Sequence, residues 1–214
     1  LLAGCDTVQS MTGGDGRQSE LFTGLFWLFL IVTGLVYLVV LAFLAAAILR
    51  RRGRRRDGLP DEDEASAESR DDGLRTVLVG WVGVTALILA GLTLASWIAD
   101  RRLAHAAAAP TLDVEIIAHQ WWWDVRYLSH EPGGIVRTAN ELHLPAGVPV
   151  RITLKSNDVI HSFWIPNLAG KQDLIPGRIN DIVIRATREG LYRGQCAEFC
   201  GLQHAHMALD VTVE

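Results

Sequence analysis

Two long stretches without a charged side chain dominate the first half of the chain, and short alternating stretches fill the second. From Leu21 to Leu49 there is no Asp, Glu, Lys or Arg. At a helical rise of about 1.5 Å per residue the run measures roughly 43 Å, more than a bilayer core of about 30 Å. Thr76 to Ala99 is a second uncharged run, of roughly 36 Å on the same arithmetic. Trp27, Trp81 and Trp97 lie toward the ends of these runs, where amphipathic rings favour the membrane interface. The pattern predicts a transmembrane hairpin over 21–102, with helices at about 21–49 and 76–99, a linker over 50–75 and a polar tail over 1–20.

The period changes after Pro110. In "PVRITLKS" apolar residues recur at Val150, Ile152 and Leu154, and in "ALDVTVE" at Leu209, Val211 and Val213. "NDIVIRAT" is a third such run, and "EPGG", "PAG", "SND", "PGRIND" and "REG" punctuate the intervals. Alternation at period two between frequent turn signals predicts half-buried antiparallel strands. About a hundred residues of this kind suit an all-β Greek-key sandwich, assigned here to 103–214. No internal repeat is visible.

Charge orients the hairpin. The linker carries Arg50, Arg51, Arg52, Arg54, Arg55, Arg56, Arg70 and Arg75, against Arg17 on one flank and Arg101 and Arg102 on the other. Positive charge is retained in the cytoplasm, so the linker is expected there and both termini outside. The acidic stretch Asp61 to Glu64 reads as a solvated loop. A net charge of −4, with no basic patch interleaved with aromatics in the second half, excludes nucleic acid. At the start, "LLAGC" reads like the cleavage box of a bacterial lipoprotein. In that reading Cys5 carries the lipid, residues 1–4 are removed and the N-terminus lies outside the cytoplasmic membrane.

The chemistry is concentrated in "GQCAEFCGLQHAHM", Gly194 to Met207. Cys196 and Cys200 could form a disulfide in an oxidising compartment, but such a small loop is worth little and leaves His204 and Met207 without purpose. Thiolate, thioether and imidazole together select copper, and Met serves zinc poorly. One Cys with a His and a weak Met would make a mononuclear blue-copper loop. Two Cys can bridge two metals, and a further His must then come from elsewhere. His161, in "DVIHSFWIP", follows a strand-like run and is the candidate. His206 is read as a non-ligand.

These stretches carry a resemblance. "CAEFCGLQHAHM" is similar to the dinuclear copper (CuA) loop of cytochrome c oxidase subunit II, and "DVIHSFWIPNLAGKQDLIPGRIN" and "AHQWWWDVRY" resemble two other signatures of that family. The likeness covers about Leu21 to Glu214, and it implies a cupredoxin-like sandwich. It further implies that Cys196 and Cys200 bridge two coppers, that His161 and Met207 complete one, and that His204 and the Glu198 backbone carbonyl complete the other. The Glu198 side chain would face a magnesium shared with subunit I. Trp121 would be where electrons from cytochrome c enter. Trp122 and Trp123 would pack or line the site, and Asp173 and Arg178 would lie near subunit I. The haems would belong to that partner.

The implied role is subunit II of a haem-copper terminal oxidase in the bacterial cytoplasmic membrane, with the copper domain on the periplasmic side. It would take electrons from cytochrome c, or from a fused or membrane-bound c-type cytochrome, and pass them to haem in subunit I, where oxygen is reduced to water. Membrane lipid is a further partner. One departure concerns protons. Many relatives have an acid near the cytoplasmic start of the second helix, where this chain has Leu78. From Leu103 on there are 12 Asp and Glu against 9 Lys and Arg, an excess too small to identify the electron donor. The competing readings are the electron-accepting subunit of a CuA-containing nitric oxide reductase, the copper domain of nitrous oxide reductase, and a non-enzymatic membrane copper carrier.

Overall fold

The structure, a computed structural model, describes residues 8–56, 64–106, 112–128 and 135–214, the side chains of 54–56, 64–72 and 104–106 excepted. Cys5, the acids Asp61 to Asp63 and the "EPGG" turn lie outside the described residues.

Helix α1 spans Arg17–Arg56 and helix α2 spans Glu64–Ala106. Both run past the uncharged stretches into charged sequence. Arg, Glu and Ala are strong helix formers, so the helix outlasts the apolar span. Within the spans, Leu30, Ile31, Leu35, Leu38, Leu87 and Leu89 stand exposed. Such surfaces are tolerated only in an apolar solvent. Three threonine hydroxyls bond back into their own helix. Thr33 donates to the Phe29 carbonyl at 2.6 Å, Thr85 to Trp81 at 2.9 Å and Thr93 to Leu89 at 2.8 Å. These three hydroxyls are satisfied within the helix, as a lipid environment favours. The two helices form the membrane anchor.

The described residues within 8–24 and 101–214 form the second unit. Its strands are β1 (Leu112–His119), β2 (Trp122–Leu128), β3 (Val136–Ala139), β4 (Glu141–Leu144), β5 (Val150–Ser156), β6 (His161–Trp164), β7 (Gln172–Leu174), β8 (Asn180–Ile184), β9 (Gly190–Cys196) and β10 (Ala208–Val213). They form two five-stranded sheets, ordered β3-β2-β1-β5-β8 and β4-β10-β9-β6-β7. Most neighbours are antiparallel, but β1 pairs with β5, and β10 with β4, in parallel. The alternation read from sequence holds: Val150, Ile152, Leu154, Leu209, Val211 and Val213 are all buried. Together with Val114, Ile116, Trp123, Leu142, Phe163 and Leu174 they make one core between the sheets. This is the cupredoxin-like sandwich expected.

The segment before α1 is part of this unit. The Asp15 amide donates to Asn167 O, and Thr187 N to Asp15 O; Arg17 N and Arg193 N reach Arg185 O and Val8 O, all at 2.8–3.0 Å. Ser10 N donates to Asn167 Oδ1 at 2.7 Å and Ser19 Oγ to Asn167 O at 2.5 Å. Arg188 holds the Asp15 carboxylate at 2.9 Å. What reads as a polar, Gly-rich tail is a strap along β9 and the β6–β7 loop. Strand β6 is short and pairs with β9 only at Phe163↔Cys196 and Trp164↔Gln195. The strap satisfies backbone groups that this short pairing leaves over.

Candidate metal centre

Three elements meet at one end of the sandwich. The first residue of β6 is His161, the last residue of β9 is Cys196, and the turn between β9 and β10 carries Cys200, His204 and Met207. Two backbone bonds fold that turn over the sheet end: Cys196 N donates to Met207 O and Ala197 N to Ser162 O, each at 2.9 Å. A short 3-10 turn over His204–His206 then leads into β10.

The sulfurs and imidazoles converge. Cys196 Sγ lies 3.8 Å from His161 Nδ1 and 3.8 Å from Cys200 Sγ. Cys200 Sγ lies 3.6 Å from His204 Nδ1 and 3.8 Å from Met207 Sδ. The Glu198 carbonyl accepts from Cys196 Sγ at 3.2 Å. Both cysteines are unpaired and buried, and Met207 and His161 are buried with them. His161 Nδ1 and the two Sγ atoms all lie within 4.8 Å of one another. First-row metal bonds run to about 2.3 Å for sulfur and about 2.0 Å for nitrogen. Tetrahedral angles at those lengths put ligand atoms roughly 3.5–3.8 Å apart. The donor set therefore fits metal binding in spacing as well as in softness.

Burial opposes ionisation of both thiols. At Cys196 the His161 imidazole and the backbone at Ser162 and Glu198 outweigh it and bring the thiol down to about 6. Cys200 moves the other way, to about 12, through burial and then through the negative charge on Cys196. The pair holds one negative charge near neutrality, ready for a cation that displaces the remaining proton. His161 is raised: burial lowers it, and its bonds to Cys196 and Asp158 more than compensate.

The tryptophans separate into distinct places. Trp123 is fully buried, its ring 6.3 Å from that of His161 and 5.8 Å from that of Phe163. Trp122 stacks on His119 at 4.6 Å. Trp121 is half-buried, and its Nε1 donates to the Cys200 carbonyl at 3.1 Å. The same carbonyl accepts from Gln120 Nε2 at 2.7 Å. Gly201 follows at φ +117°, and a Cβ there would stand 3.1 Å from Gln120 Nε2 and 3.2 Å from Trp121 Cζ2. Only glycine meets both demands.

Other residues singled out in the sequence lie apart. The Glu198 side chain and His206 are exposed. Asp173 is exposed on β7, and Arg178 is exposed on the turn that follows, where its N bonds Ile175 O at 3.0 Å and Gly177 takes φ +76°. Asp158 was not singled out. Its carboxylate touches both His161 and the backbone before Trp121, and its place three residues ahead of His161 was the available signal.

Residues 128–213, which contain the whole sulfur loop, match a family model described as cytochrome C oxidase subunit II, periplasmic domain. Among solved structures, the periplasmic domain of subunit II of cytochrome oxidase (CoxB) of Bradyrhizobium japonicum is 28% identical, over 50% of this chain and 87% of that one, with a TM-score of 0.47. Subunit II of cytochrome c oxidase in a mixed disulfide with a thioredoxin-like protein is 30% identical, over 50% of this chain and 84% of that one, with a TM-score of 0.43. A heme-copper terminal oxidase dimer is 24% identical, over 64% of this chain and 99% of that one, with a TM-score of 0.47. On the family match across the sulfur loop, and on 30% identity over 84% of a subunit II domain, this chain belongs to the cytochrome c oxidase subunit II family.

Proposed function

We propose that this chain accepts electrons from a c-type cytochrome at a dinuclear copper centre and passes them to haem in a partner subunit I. The observation that supports the reading is the convergence of three sulfurs and two imidazole nitrogens at 3.6–3.8 Å spacing. Cys196 and Cys200 are the bridging ligands in this reading. His161 and Met207 complete one metal site, and His204 and the Glu198 carbonyl the other. Bound there, a thiolate-bridged copper pair supplies a one-electron carrier whose charge change is shared between two metals.

The protein's part is to hold these donors before the electron arrives, so that little rearrangement accompanies transfer. The sandwich does this with two backbone bonds across the loop and a buried Met207. Trp121, bonded to the Cys200 carbonyl, is the side chain through which electrons enter. The exposed Glu198 side chain is directed to a magnesium ion at the subunit I boundary. Residues 21–102 are then the membrane hairpin, 103–214 the extracytoplasmic copper domain, and 1–20 an extracytoplasmic N-terminal segment with Cys5 as the lipid attachment. As a member of its family the chain is an oxidase subunit and does not itself carry the oxygen chemistry.

Copper counting tests the reading. The purified full chain loaded with Cu(II) and a reductant should retain two coppers after dialysis, and Cys200→Ser should retain one or none. Retention of one copper by both proteins would refute a bridged pair.

A further inference from the structure

Asp158 sits on the turn between β5 and β6 and makes three close bonds. Its Oδ1 is 2.8 Å from His161 Nε2, its Oδ2 accepts from the Gln120 amide at 2.7 Å, and Oδ1 also accepts from Val159 N at 2.6 Å. A carboxylate only accepts, so Nε2 of His161 must carry its hydrogen, and Nδ1 is the nitrogen turned to Cys196. The other oxygen holds the backbone directly before Trp121. Gln120 and Trp121 in turn both donate to the Cys200 carbonyl. One side chain thus links His161, on one side of the sulfur pair, to the indole turn that grips the other.

We infer that Asp158 is a positioning residue that sets the ring orientation of His161 and the placement of Trp121 together. Without it, both would be free to move separately. An Asn side chain has the same shape but only one acceptor oxygen, so it can satisfy His161 or Gln120 and must present an N–H to the other. Partners of this kind orient a ligating imidazole and raise its basicity, and their loss commonly costs about 10–100-fold in affinity or activity.

The inference rests on the proposed role of His161 and Trp121, but its first test needs no copper. Hydrogen exchange of ring N–H groups is measured by NMR in the full chain, selectively labelled with 15N at His and Trp and held in detergent. In the unaltered protein the His161 Nε2–H and the Trp121 Nε1–H should both be slow to exchange. In Asp158→Ala, which removes both acceptors, both should speed up at least about tenfold, while Asp181→Ala, an equal loss of charge on β8, changes neither. Asp158→Glu, which keeps two acceptors, should restore most of the protection. Rapid exchange at both sites in the unaltered protein would overturn the inference without any variant. Acceleration at His161 alone would overturn the linkage to Trp121. In the copper-loaded chain, Asp158→Asn should also raise the midpoint potential, since a negative partner is lost from a ligand, and slow electron uptake about tenfold. Two coppers with no change in either quantity would overturn the inference and leave the copper reading standing. Failure of the unaltered chain to bind copper would refute that reading and leave the exchange result to be judged separately.

Discussion

Gly16 offers the sharpest test of the N-terminal strap. A Cβ at this position would lie 2.2 Å from the Leu168 carbonyl oxygen and 2.7 Å from Leu168 Cα. These are backbone atoms, so no side-chain rotation relieves the overlap. Gly16→Ala must lift the strap away, and the bonds at Asp15, Arg17 and Thr187 lengthen or break together. Each backbone bond is worth about 1 kcal/mol net, and the reduced freedom of Ala in the unfolded chain returns about 0.4–1 kcal/mol. The expected cost is about 2–3 kcal/mol, or about 30–150-fold in the local opening equilibrium. Gly14 supplies the comparison. It has φ +67° with nothing nearer to an added Cβ than 3.9 Å, so Gly14→Ala should cost only about 1 kcal/mol of backbone strain. The assay is amide hydrogen exchange on the full chain, read at Asp15, Arg17, Thr187 and Arg193. Equal protection of Thr187 and Arg193 in Gly16→Ala and the unaltered chain would show that the strap contributes nothing. The strap also touches the site's supports, since Gln9 Nε2 donates to Gln195 Oε1, one residue before Cys196, at 2.7 Å. A fragment beginning at Pro110 lacks it and should be less stable than the full chain.

Three further outcomes are expected. Asp124 is wholly buried, while its partners are partly exposed, Arg137 with Nε at 2.6 Å and Arg126 with Nη2 at 2.7 Å; Asp124→Asn should cost about 1.5–3 kcal/mol in denaturant unfolding, the worth of a hydrogen bond to a charged group. Burial alone would raise its pKa, but bonds from Arg137 and Arg126 hold the carboxyl below the usual range. Its stabilisation is therefore complete above the unfolded pKa of about 3.9 and is lost as pH falls through the lower folded value; a midpoint that holds steady from pH 5 to pH 2.5 would contradict this. Trp121→Phe keeps a ring but loses the bond to the Cys200 carbonyl; copper per chain should stay at two while electron uptake from reduced cytochrome c falls about tenfold. Leu202 is 95% exposed, so Leu202→Ser should change unfolding stability by less than about 0.5 kcal/mol, measured in the same assay.

Much of this molecule was legible because its signals are local. Alternation in "PVRITLKS" marks which residues face inward, and the spacing of Cys196, Cys200, His204 and Met207 places soft donors on one tight turn. Other features depend on what lies far away in the chain. The parallel pairing of β1 with β5 leaves no trace in either strand's own pattern. Residues Val8 to Gly16 are polar and Gly-rich and carry no period, so nothing marks them as docked; their partners Asn167, Thr187 and Arg193 lie more than 150 residues on. The helix ends were misplaced for a different reason. Hydropathy reports where lipid must end, whereas α2 starts at Glu64, in sequence that favours helix without being apolar. Asp158 reads as an ordinary turn acid until His161 and Gln120 are seen beside it.

The most direct test of the central claim is the electron paramagnetic resonance spectrum of the copper-loaded full chain, partly oxidised, with copper per chain measured on the same sample. The account requires two coppers and one unpaired electron spread equally over two copper nuclei. A single-nucleus copper spectrum, or one copper per chain, would contradict it and return the domain to a mononuclear cupredoxin.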